Sequence, residues 1–314
     1  MNSVANLKDI SRCLELAILL EASAHKPGNV NVVTDFETTR YEHFLASAVA
    51  ATSSLEAGVQ RGIAVSEEKI GVAEVGVGKI IKDCITEIAA WQHGGNTLLG
   101  TVILQSPMAP AAAITLYNGR FSVSALRRNL RLITQSTTAQ DALDVYDAIT
   151  IANPSGLGKA PDLDVNDPAS RKRIVDRNIS LHSVFRIAEE YDTICSEYVN
   201  DFHVTFDVAY PSLTKHLKKI PDPSTAILQS FLEVLAAVPD TFIARKTTLQ
   251  KAREVSSKAG KIVKLGGVET SSGRKALDIF DHELRKESNL LNPGTTADVI
   301  AAALAVCILE GYRP

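Results

Sequence analysis

Aromatic residues and patterned cysteines are scarce in this chain of 314 residues. Aromatic side chains make up 5% of the sequence, with a single Trp, which argues against a surface on which nucleic-acid bases stack. The cysteines are Cys13, Cys84, Cys195 and Cys307, and neither a CxxC nor a Cys/His spacing indicates a zinc site. We therefore expect buried free thiols in a reducing compartment, and hence a cytoplasmic protein.

A basic field, a signal pattern and a long apolar run are also missing. The formal net charge is −3, so no global field attracts nucleic acid, and any recognition of phosphate has to be local. The N-terminus lacks the charged-then-apolar pattern of a secretion signal, and the apolar runs look too short to cross a bilayer. The sequence predicts partners that are neither nucleic acids nor membranes, and it leaves the oligomeric state unknown.

Helical periodicity dominates the chain. Apolar residues recur at helical spacing over 7–24 and 67–92, and an Ala/Ser-rich segment at 42–58 suits close helix packing. The residues from Phe202 to Val208 alternate as in a half-buried strand, but a lone strand has no partner, so we predict a helix there too. Further helices are predicted at 122–134, 137–151, 180–199, 223–238, 245–264, 272–287 and 295–310.

A segment rich in Pro, Gly and Asp at 153–170 is long enough to be a functional lid or a linker. The composition does not shift across it, and no alternation of strands and helices is present. The sequence therefore predicts an all-α fold in which residues 1–314 form a single large multi-helical domain.

Polar side chains stand beside small residues at three predicted helix boundaries. The last boundary is Asn292–Asp298, and an uncharged apolar helix follows it. Thr295 or Thr296 would cap this helix, whose free N–H groups would face an anion, with an ordinary capped helix as the alternative. The other boundaries are Glu21–Val30 and His93–Gly100. We predict that the three boundaries form one site, with one pocket lined by Glu21, Lys26, Asn96 and Asp298.

Glu21 lies on the apolar face of the first predicted helix, where a carboxylate is costly to bury without a partner. It would act as a metal ligand or a general base, or else form one half of a buried ion pair. In the turn that follows, Lys26 can reach a phosphate as a point charge, and the N–H groups of Gly28 and Asn29 can add donors. An ordinary surface turn is the alternative.

The other candidates lie in the middle and at the end of the chain. Asn96 and Thr97 can bind a sugar hydroxyl or a phosphate oxygen, although the glycines before them are also typical of a helix C-cap. The pair Arg245-Lys246 is predicted at a helix start, where basic side chains oppose the dipole unless an anion lies between them. Asp281 and Asp298 flank the Asn-Pro-Gly turn and can share a magnesium ion.

Asp141, Asp144 and Asp147 recur every three residues and therefore share one flank of a helix. Such a row can bind Mg²⁺, or it can be a solvated acidic face. The solvated face is the favoured interpretation.

Taken together, these segments resemble the triphosphoribosyl-dephospho-CoA synthase family. The resemblance implies an all-helical enzyme that uses ATP and Mg²⁺, takes dephospho-CoA as the acceptor and releases adenine. The matching segments are Glu21 with Lys26-Pro27-Gly28-Asn29-Val30, the helix start Phe44–Ser47, Gly95-Asn96-Thr97 with Gly100, Asp240 with Arg245-Lys246, and Phe280-Asp281 with Asn292–Asp298.

Two departures concern the acceptor half of the reaction. Leu98 and Leu99 stand where bacterial members have His-Lys, and the last motif contains Asn-Pro-Gly-Thr-Thr rather than Ser-Pro-Gly-Gly-Ser. With the long 153–170 segment, the chain looks more like the archaeal branch, whose acceptor is less clear. The alternatives are a cofactor-biosynthesis transferase with another acceptor, a nucleotide N-glycosidase, and a non-catalytic nucleotide-binding helical protein.

The resemblance and the side-chain chemistry together assign roles. Glu21 would stabilise positive charge at C1′ of ATP or deprotonate the acceptor hydroxyl. Asp281 and Asp298 would bind Mg²⁺, and Asn96 and Thr97 would orient the ribose. The basic residues among the remaining candidates would make one end of the pocket positive around the triphosphate. The remaining substrate-binding candidates are Lys26, Gly28, Asn29, Ser47, Arg245, Lys246, Gly294, Thr295 and Thr296.

Overall fold

The computed structural model describes residues 6–286 and 289–314. Regular structure within these residues is helical, apart from an isolated bridge between Asn31 and Thr34, so the all-α prediction is confirmed. The described α-helices are α1 (Ile10–Ser23), α2 (Tyr41–Ser66), α3 (Val77–Trp91), α4 (Leu99–Tyr117), α5 (Val123–Gln135), α6 (Ala139–Ala152), α7 (Pro168–Asp176), α8 (Leu181–Ala188), α9 (Thr193–Val199), α10 (Tyr210–Lys219), α11 (Pro223–Ala237), α12 (Thr241–Lys246), α13 (Leu249–Lys264), α14 (Ser271–Arg285) and α15 (Gly294–Leu309).

Two helices that are apolar on nearly all sides form the centre of the fold. α4 is buried almost continuously from Leu99 to Thr115, and α15 from Val299 to Leu309. A helix without a polar face has to be covered on every side. α15 accordingly packs against α1 and α4, α4 also packs against α2, and the buried side chains join into one core.

α4 is long and apolar enough to cross a membrane by length and composition, contrary to the expectation that every apolar run is too short. However, 89% of its most apolar window is buried inside the protein. α4 therefore behaves as a core helix. The sequence does not predict α4, because uniform apolarity hides the helical period and because Pro107 and Pro110 suggest a break.

Two predicted helices are divided in the structure. The 180–199 segment forms α8 and α9, and the 245–264 segment begins earlier and forms α12 and α13. The second helix of each pair has its own N-cap, which is Asp192 for α9 and Thr248 for α13. In the same way, the 67–92 segment contains a short 3₁₀ turn before α3 begins at Val77.

The strand-like segment is helical, as predicted. Val204–Ala209 forms a π-helix that continues directly into α10. The buried carboxylate of Glu197 accepts hydrogen bonds from the backbone N–H groups of Val204 and Thr205, at 2.7 and 2.9 Å, and thereby satisfies the start of this turn. α11 and α15 pack against the segment, and Val204 and Phe206 are buried there.

The acidic row on α6 is neither a solvated face nor an open metal site. Asp141 accepts hydrogen bonds from Thr138 at its own helix start and from the N–H of Gly78 at 2.8 Å. Asp144 is buried and pairs with Lys82, and Asp147 pairs with Lys82 and, at 2.8 Å, with Arg171. Both interpretations of the row are therefore wrong, since these side chains join α6 to α3 and α7.

Two helical glycines provide a test of how tightly α2 packs on α4. A Cβ at Gly62 of α2 would lie 2.7 Å from the Cα of Pro110, whereas a Cβ at Gly260 of α13 would meet nothing closer than 3.8 Å. We expect Gly62→Ala to lower the free energy of unfolding by about 1–3 kcal/mol through overpacking. Gly260→Ala, the matched control, should raise it by about 0.5–1 kcal/mol through helix propensity.

Urea denaturation of both variants measures these changes. Equal effects of the two substitutions would contradict the close approach of α2 to α4.

Candidate active site

The three boundaries converge on one cavity of about 770 Å³. Glu21, Lys26, Asn96 and Asp298 all line it, which confirms the prediction of a shared pocket. Six more of the predicted site residues line the same cavity: Asn29, Thr97, Arg245, Lys246, Gly294 and Thr295. The predicted residues that do not line it are Gly28, Ser47, Asp281 and Thr296.

Glu21 and Lys26 form a buried ion pair at the C-terminal end of α1. The side chains are 6% and 1% exposed, and the Lys26 ammonium lies 3.0 Å from Glu21 Oε1. Its well-aligned hydrogen bonds go instead to the main-chain carbonyls of Glu21 and Ala24, so Glu21 Oε1 accepts no aligned hydrogen bond. Burial raises the pKa of Glu21, and the charge of Lys26 opposes this shift. The Lys26 side chain therefore folds back against the C-terminal end of α1 and does not extend towards a phosphate.

Asp298, the fifth residue of α15, projects to the N-terminus of α4. Its Oδ1 accepts a hydrogen bond from the Thr101 hydroxyl at 2.6 Å, and a Cβ on Gly100 would lie 2.6 Å from its Cγ. Any larger residue at position 100 would require this carboxylate to move. Burial raises the pKa of Asp298 to about 7; the Thr101 hydroxyl opposes this, and the charge of Glu21 adds to it.

The N-terminus of α15 is partly occupied by a protein carboxylate. Asp240 Oδ2 accepts hydrogen bonds from the backbone N–H and the hydroxyl of Thr296, at 2.7 and 2.8 Å. Burial raises the pKa of Asp240, and the Thr296 hydrogen bonds oppose the shift. The expected capping by Thr295 or Thr296 is wrong, because α15 begins at Gly294 with Pro293 in the cap position. Gly294 and Thr295 remain on the cavity wall.

Asn96 and Thr97 are positioned by local contacts. Asn96 Oδ1 accepts a hydrogen bond from the N–H of Leu99 at 3.1 Å, which leaves the amide NH₂ group for the cavity. The Thr97 hydroxyl lies 2.7 Å from the hydroxyl of Ser47, which is fully buried. Ser47 therefore orients Thr97 from behind. Gln92 fixes the turn before them through Gly94 N–H and Gly95 C=O.

Arg245 and Lys246 end α12 rather than begin a helix, so the expected conflict with the helix dipole is wrong. Arg245 pairs with Asp192 at 2.6 Å. Lys246 donates a hydrogen bond to the Asn289 carbonyl at 2.7 Å and lies 4.1 Å from the centre of the Phe242 ring. Burial lowers the pKa of Lys246 to about 8. Asp192 is not among the predicted residues, although it carries the same signal as Asp240, since each precedes a Thr at a helix start.

Asp281 is placed by contacts outside the cavity lining. Its Oδ1 accepts a hydrogen bond from the Gly28 N–H at 2.7 Å, and the carboxylate pairs with Arg285 on the next turn of α14. The structure thus places Asp298, but not Asp281, on the cavity wall. Within the described residues, no cluster of three or more metal-ligating side chains is present.

The cavity lining has more acidic than basic side chains, and it has a clear apolar side. The acidic side chains are Glu21, Glu37, Asp162, Asp164, Asp192 and Asp298, and the basic ones are Lys26, Lys159, Arg245 and Lys246. Arg245 and Lys246 are neighbours at the end of α12, so a locally positive end of the cavity stays a prediction. The 153–170 segment supplies one wall, anchored by the Tyr146 hydroxyl on the Leu163 carbonyl. Apolar side chains continue this wall: Ile149, Leu157, Val165, Val184, Ile187 and Tyr191.

Comparisons with known proteins point to one family. The family model described as CitG, ATP:dephospho-CoA triphosphoribosyl transferase, matches residues 7–314. A 2-(5''-triphosphoribosyl)-3'-dephosphocoenzyme-A synthase of Klebsiella pneumoniae is 32% identical over 93 residues, which is 30% of each chain. One of Escherichia fergusonii is 31% identical over 105 residues, 33% of this chain and 34% of the other. The matched region thus spans about a third of these curated relatives.

A crystal structure from Archaeoglobus fulgidus, named for triphosphoribosyl-dephospho-CoA synthase, shares the fold. It superposes with a TM-score of 0.62 over 86% of this chain and 100% of its own, at 22% sequence identity. The fold of this chain is therefore present in a solved structure.

The raised pKa of Asp298 predicts a specific dependence of stability on pH. A carboxyl group whose pKa rises from 3.8 to about 7 on folding stabilises the protein below its unfolded pKa. This contribution is lost as the pH rises through 7. Asp298→Asn keeps an acceptor for Thr101 but cannot ionise. Wild type should therefore lose up to about 4 kcal/mol of its free energy of unfolding between pH 4 and neutral pH that Asp298→Asn does not lose. This figure follows from about 1.4 kcal/mol per pKa unit.

Urea denaturation at pH values below 4 and above 7, without added divalent cations, measures this difference. Parallel curves for wild type and variant would show that folding does not raise the pKa of Asp298.

Proposed function

The chain belongs to the ATP:dephospho-CoA triphosphoribosyl transferase family, and on this premise we propose that it transfers the 5-triphosphoribosyl group of ATP to 3'-dephospho-CoA and releases adenine. The observation that carries the proposal is the convergence of Glu21, Asn96 and Asp298 on one cavity, from three distant segments. ATP and the acceptor are cytoplasmic metabolites, and the free thiols fit a reducing compartment, so we place the enzyme in the cytoplasm.

The chemistry requires charge to be managed at C1′ of the donor. The acceptor hydroxyl oxygen forms a bond to C1′ while the C1′–N9 bond breaks, and the electron pair of that bond leaves with adenine. The hydroxyl proton is removed by a base and finally protonates adenine, so atoms and charge balance. We assign Glu21 to this centre, where a carboxylate can stabilise oxocarbenium-like positive charge or take the proton.

Lys26 supports this role of Glu21. A carboxylate buried alone would be driven towards its neutral form, and burial does raise the pKa of Glu21. The ammonium at 3.0 Å opposes that shift and keeps negative charge available at the cavity wall. In this proposal Lys26 does not contact the triphosphate, as its nitrogen is engaged by α1.

The triphosphate would lie beside the ends of α12 and α15. Arg245 and Lys246 supply the cationic side chains there, and Gly294 and Thr295 line the adjacent wall. The amide of Asn96 and the hydroxyl of Thr97 would orient the ribose. The apolar wall formed by α8 and the 153–170 segment suits the pantetheine arm of the acceptor. This arm is a long chain that carries less charge than the triphosphate of the donor.

Mg²⁺ is part of the proposal, and the side chains at Asp298 fit it. Asp298 and Glu21 are hard oxygen donors on one cavity wall, they repel each other, and Glu21 Oε1 accepts no aligned hydrogen bond. Mg²⁺ bound with a nucleotide typically uses one or two carboxylates together with the phosphates, so a cage of three protein ligands is not required. When bound, the ion would neutralise phosphate charge, with Asp298 as its protein ligand.

The direct test is mass spectrometry of products after incubation with ATP, Mg²⁺ and dephospho-CoA. We expect adenine and a conjugate that contains both the triphosphoribosyl group and dephospho-CoA. Adenine release without an acceptor would favour a nucleotide N-glycosidase, and a conjugate formed only with another acceptor would favour a related transferase. Binding of ATP without any turnover would contradict the enzyme proposal.

Glu21→Gln separates catalysis from binding. Gln keeps the shape but removes the charge, so adenine release should fall by about 10²–10⁴-fold while ATP affinity changes far less. Glu37→Gln is the matched control, because Glu37 lines the same cavity but is exposed, and its rate should stay within about twofold. Equal rates for wild type and Glu21→Gln would make Glu21 a structural partner of Lys26.

Removal of one buried charge can also unfold a protein, since the other is then left unpaired. If circular dichroism shows that Glu21→Gln is unfolded, the double variant Glu21→Gln/Lys26→Gln removes both charges. A folded double variant that retains wild-type turnover would equally contradict the proposed role of Glu21.

A further inference from the structure

Two charged side chains of α14 hold the turn that follows α1. Asp281 Oδ1 accepts a hydrogen bond from the Gly28 N–H at 2.7 Å, and Arg285 Nη2 donates one to the Asn29 carbonyl at 2.6 Å. The two side chains also pair with each other, since Arg285 Nε lies 2.8 Å from Asp281 Oδ1. The N–H of Gly28 and the carbonyl of Asn29 are thus both bound by side chains that lie one turn apart on α14.

The turn is confined sterically at the same point. Gly28 has a φ of +71°, in the left-handed region that favours glycine. A Cβ there would lie 2.9 Å from the Cβ of Leu284 and 3.1 Å from Pro293. The turn therefore lies between α14 and the segment that leads into α15, with no room to shift towards either.

This turn also carries Lys26. The Asn29 N–H donates a hydrogen bond to the Lys26 carbonyl at 3.3 Å, which closes residues 26–29 into one unit. At the other end of that unit, the Lys26 ammonium lies 3.0 Å from Glu21 Oε1. A continuous series of contacts thus connects α14 to the Glu21 carboxylate on the cavity wall.

We propose that Asp281 and Arg285 are positioning residues that hold the 26–29 turn, and through Lys26 fix the Glu21 carboxylate at the cavity wall. Neither side chain touches the cavity, so both act through the turn. The pair is partly exposed, at 31% and 17%, and such pairs contribute little to overall stability. Their loss should therefore alter the geometry at Glu21 more than the stability of the fold.

The kinetic test rests on the proposed function and compares variants along one helix. In Asp281→Ala and Arg285→Lys, kcat for adenine release should fall by about 10- to 100-fold, as expected for a misplaced catalytic group, with a smaller change in KM for ATP. Arg285→Lys is included because an ammonium cannot reach Asp281 and the Asn29 carbonyl as the planar guanidinium does. Asp281→Asn keeps an acceptor for Gly28 and should retain more activity than Asp281→Ala.

Glu283→Gln is the matched control. Glu283 lies on α14 between the two residues and pairs with Lys258 at 2.6 Å, away from the turn. Its removal should leave kcat within about twofold. If Glu283→Gln were as damaging as Asp281→Ala, the effect would be a general loss of α14 packing, and the proposal would be overturned.

The Mg²⁺ requirement distinguishes positioning from metal binding. A positioning role leaves the Mg²⁺ concentration for half-maximal activity unchanged in Asp281→Ala and makes Arg285→Lys defective as well. A large rise in that concentration for Asp281→Ala, with normal activity in Arg285→Lys, would identify Asp281 as a metal ligand and overturn the proposal.

Hydrogen exchange tests the turn without any assumption about the reaction. In Asp281→Ala the amide of Gly28 should exchange at least about tenfold faster than in wild type, because its acceptor is gone, while Glu283→Gln should not change it. If the wild-type protein releases no adenine, the proposed function fails, whereas this measurement still decides whether α14 holds the turn. An unchanged exchange rate in Asp281→Ala would refute the positioning role.

Discussion

A carboxylate buried among apolar helices needs N–H or O–H donors, and this requirement decides how the helix ends of this protein meet. Helix N-termini offer such donors, because their first N–H groups have no partner within the helix. Asp240 accepts a hydrogen bond from the N–H of Thr296 at the start of α15, and Asp298 of α15 accepts one from the Thr101 hydroxyl at the start of α4. Asp141 and Glu197 do the same for α3 and for the π-helix before α10. The cavity exists where the first two of these junctions come together.

The same contacts limit how the site can bind an anion. A free helix N-terminus would be a ready phosphate site, but Thr296 is already satisfied by Asp240. Under the proposed function, recognition of the triphosphate would then fall to Arg245 and Lys246 and to the remaining exposed groups of the wall. Arg245 is also held by Asp192, so its guanidinium is oriented before any ligand arrives. Prior orientation of this kind lowers the entropic cost of binding.

The sequence is sufficient for the fold class and for the convergence of three distant boundaries on one cavity, but not for the pairings of the charged side chains. A polar side chain at the end of an apolar helix stands out in one sequence, and this predicted that Glu21, Asn96 and Asp298 converge. The hydrogen-bond partner of each carboxylate comes from a distant part of the chain. Thr101 and Asp298 are 197 residues apart in sequence, and Gly28 and Asp281 are 253 residues apart. No local pattern encodes such contacts. For this reason the sequence does not predict the contact of Asp281 with Gly28, or the contacts by which the row from Asp141 to Asp147 joins neighbouring helices.

The acidic excess of the cavity lining and the polyanionic donor of the proposed reaction together constrain the form in which the donor can bind. Bare ATP would bring further negative charge to a wall where Glu21 and Asp298 already repel each other. Lys26 cannot relieve this repulsion at the phosphates, because it is buried on α1. Under the proposed function, additional positive charge would therefore enter with the donor, and a nucleotide that carries its own divalent cation meets this requirement. The proposed site would thus be better matched to the metal complex of the nucleotide than to the free nucleotide.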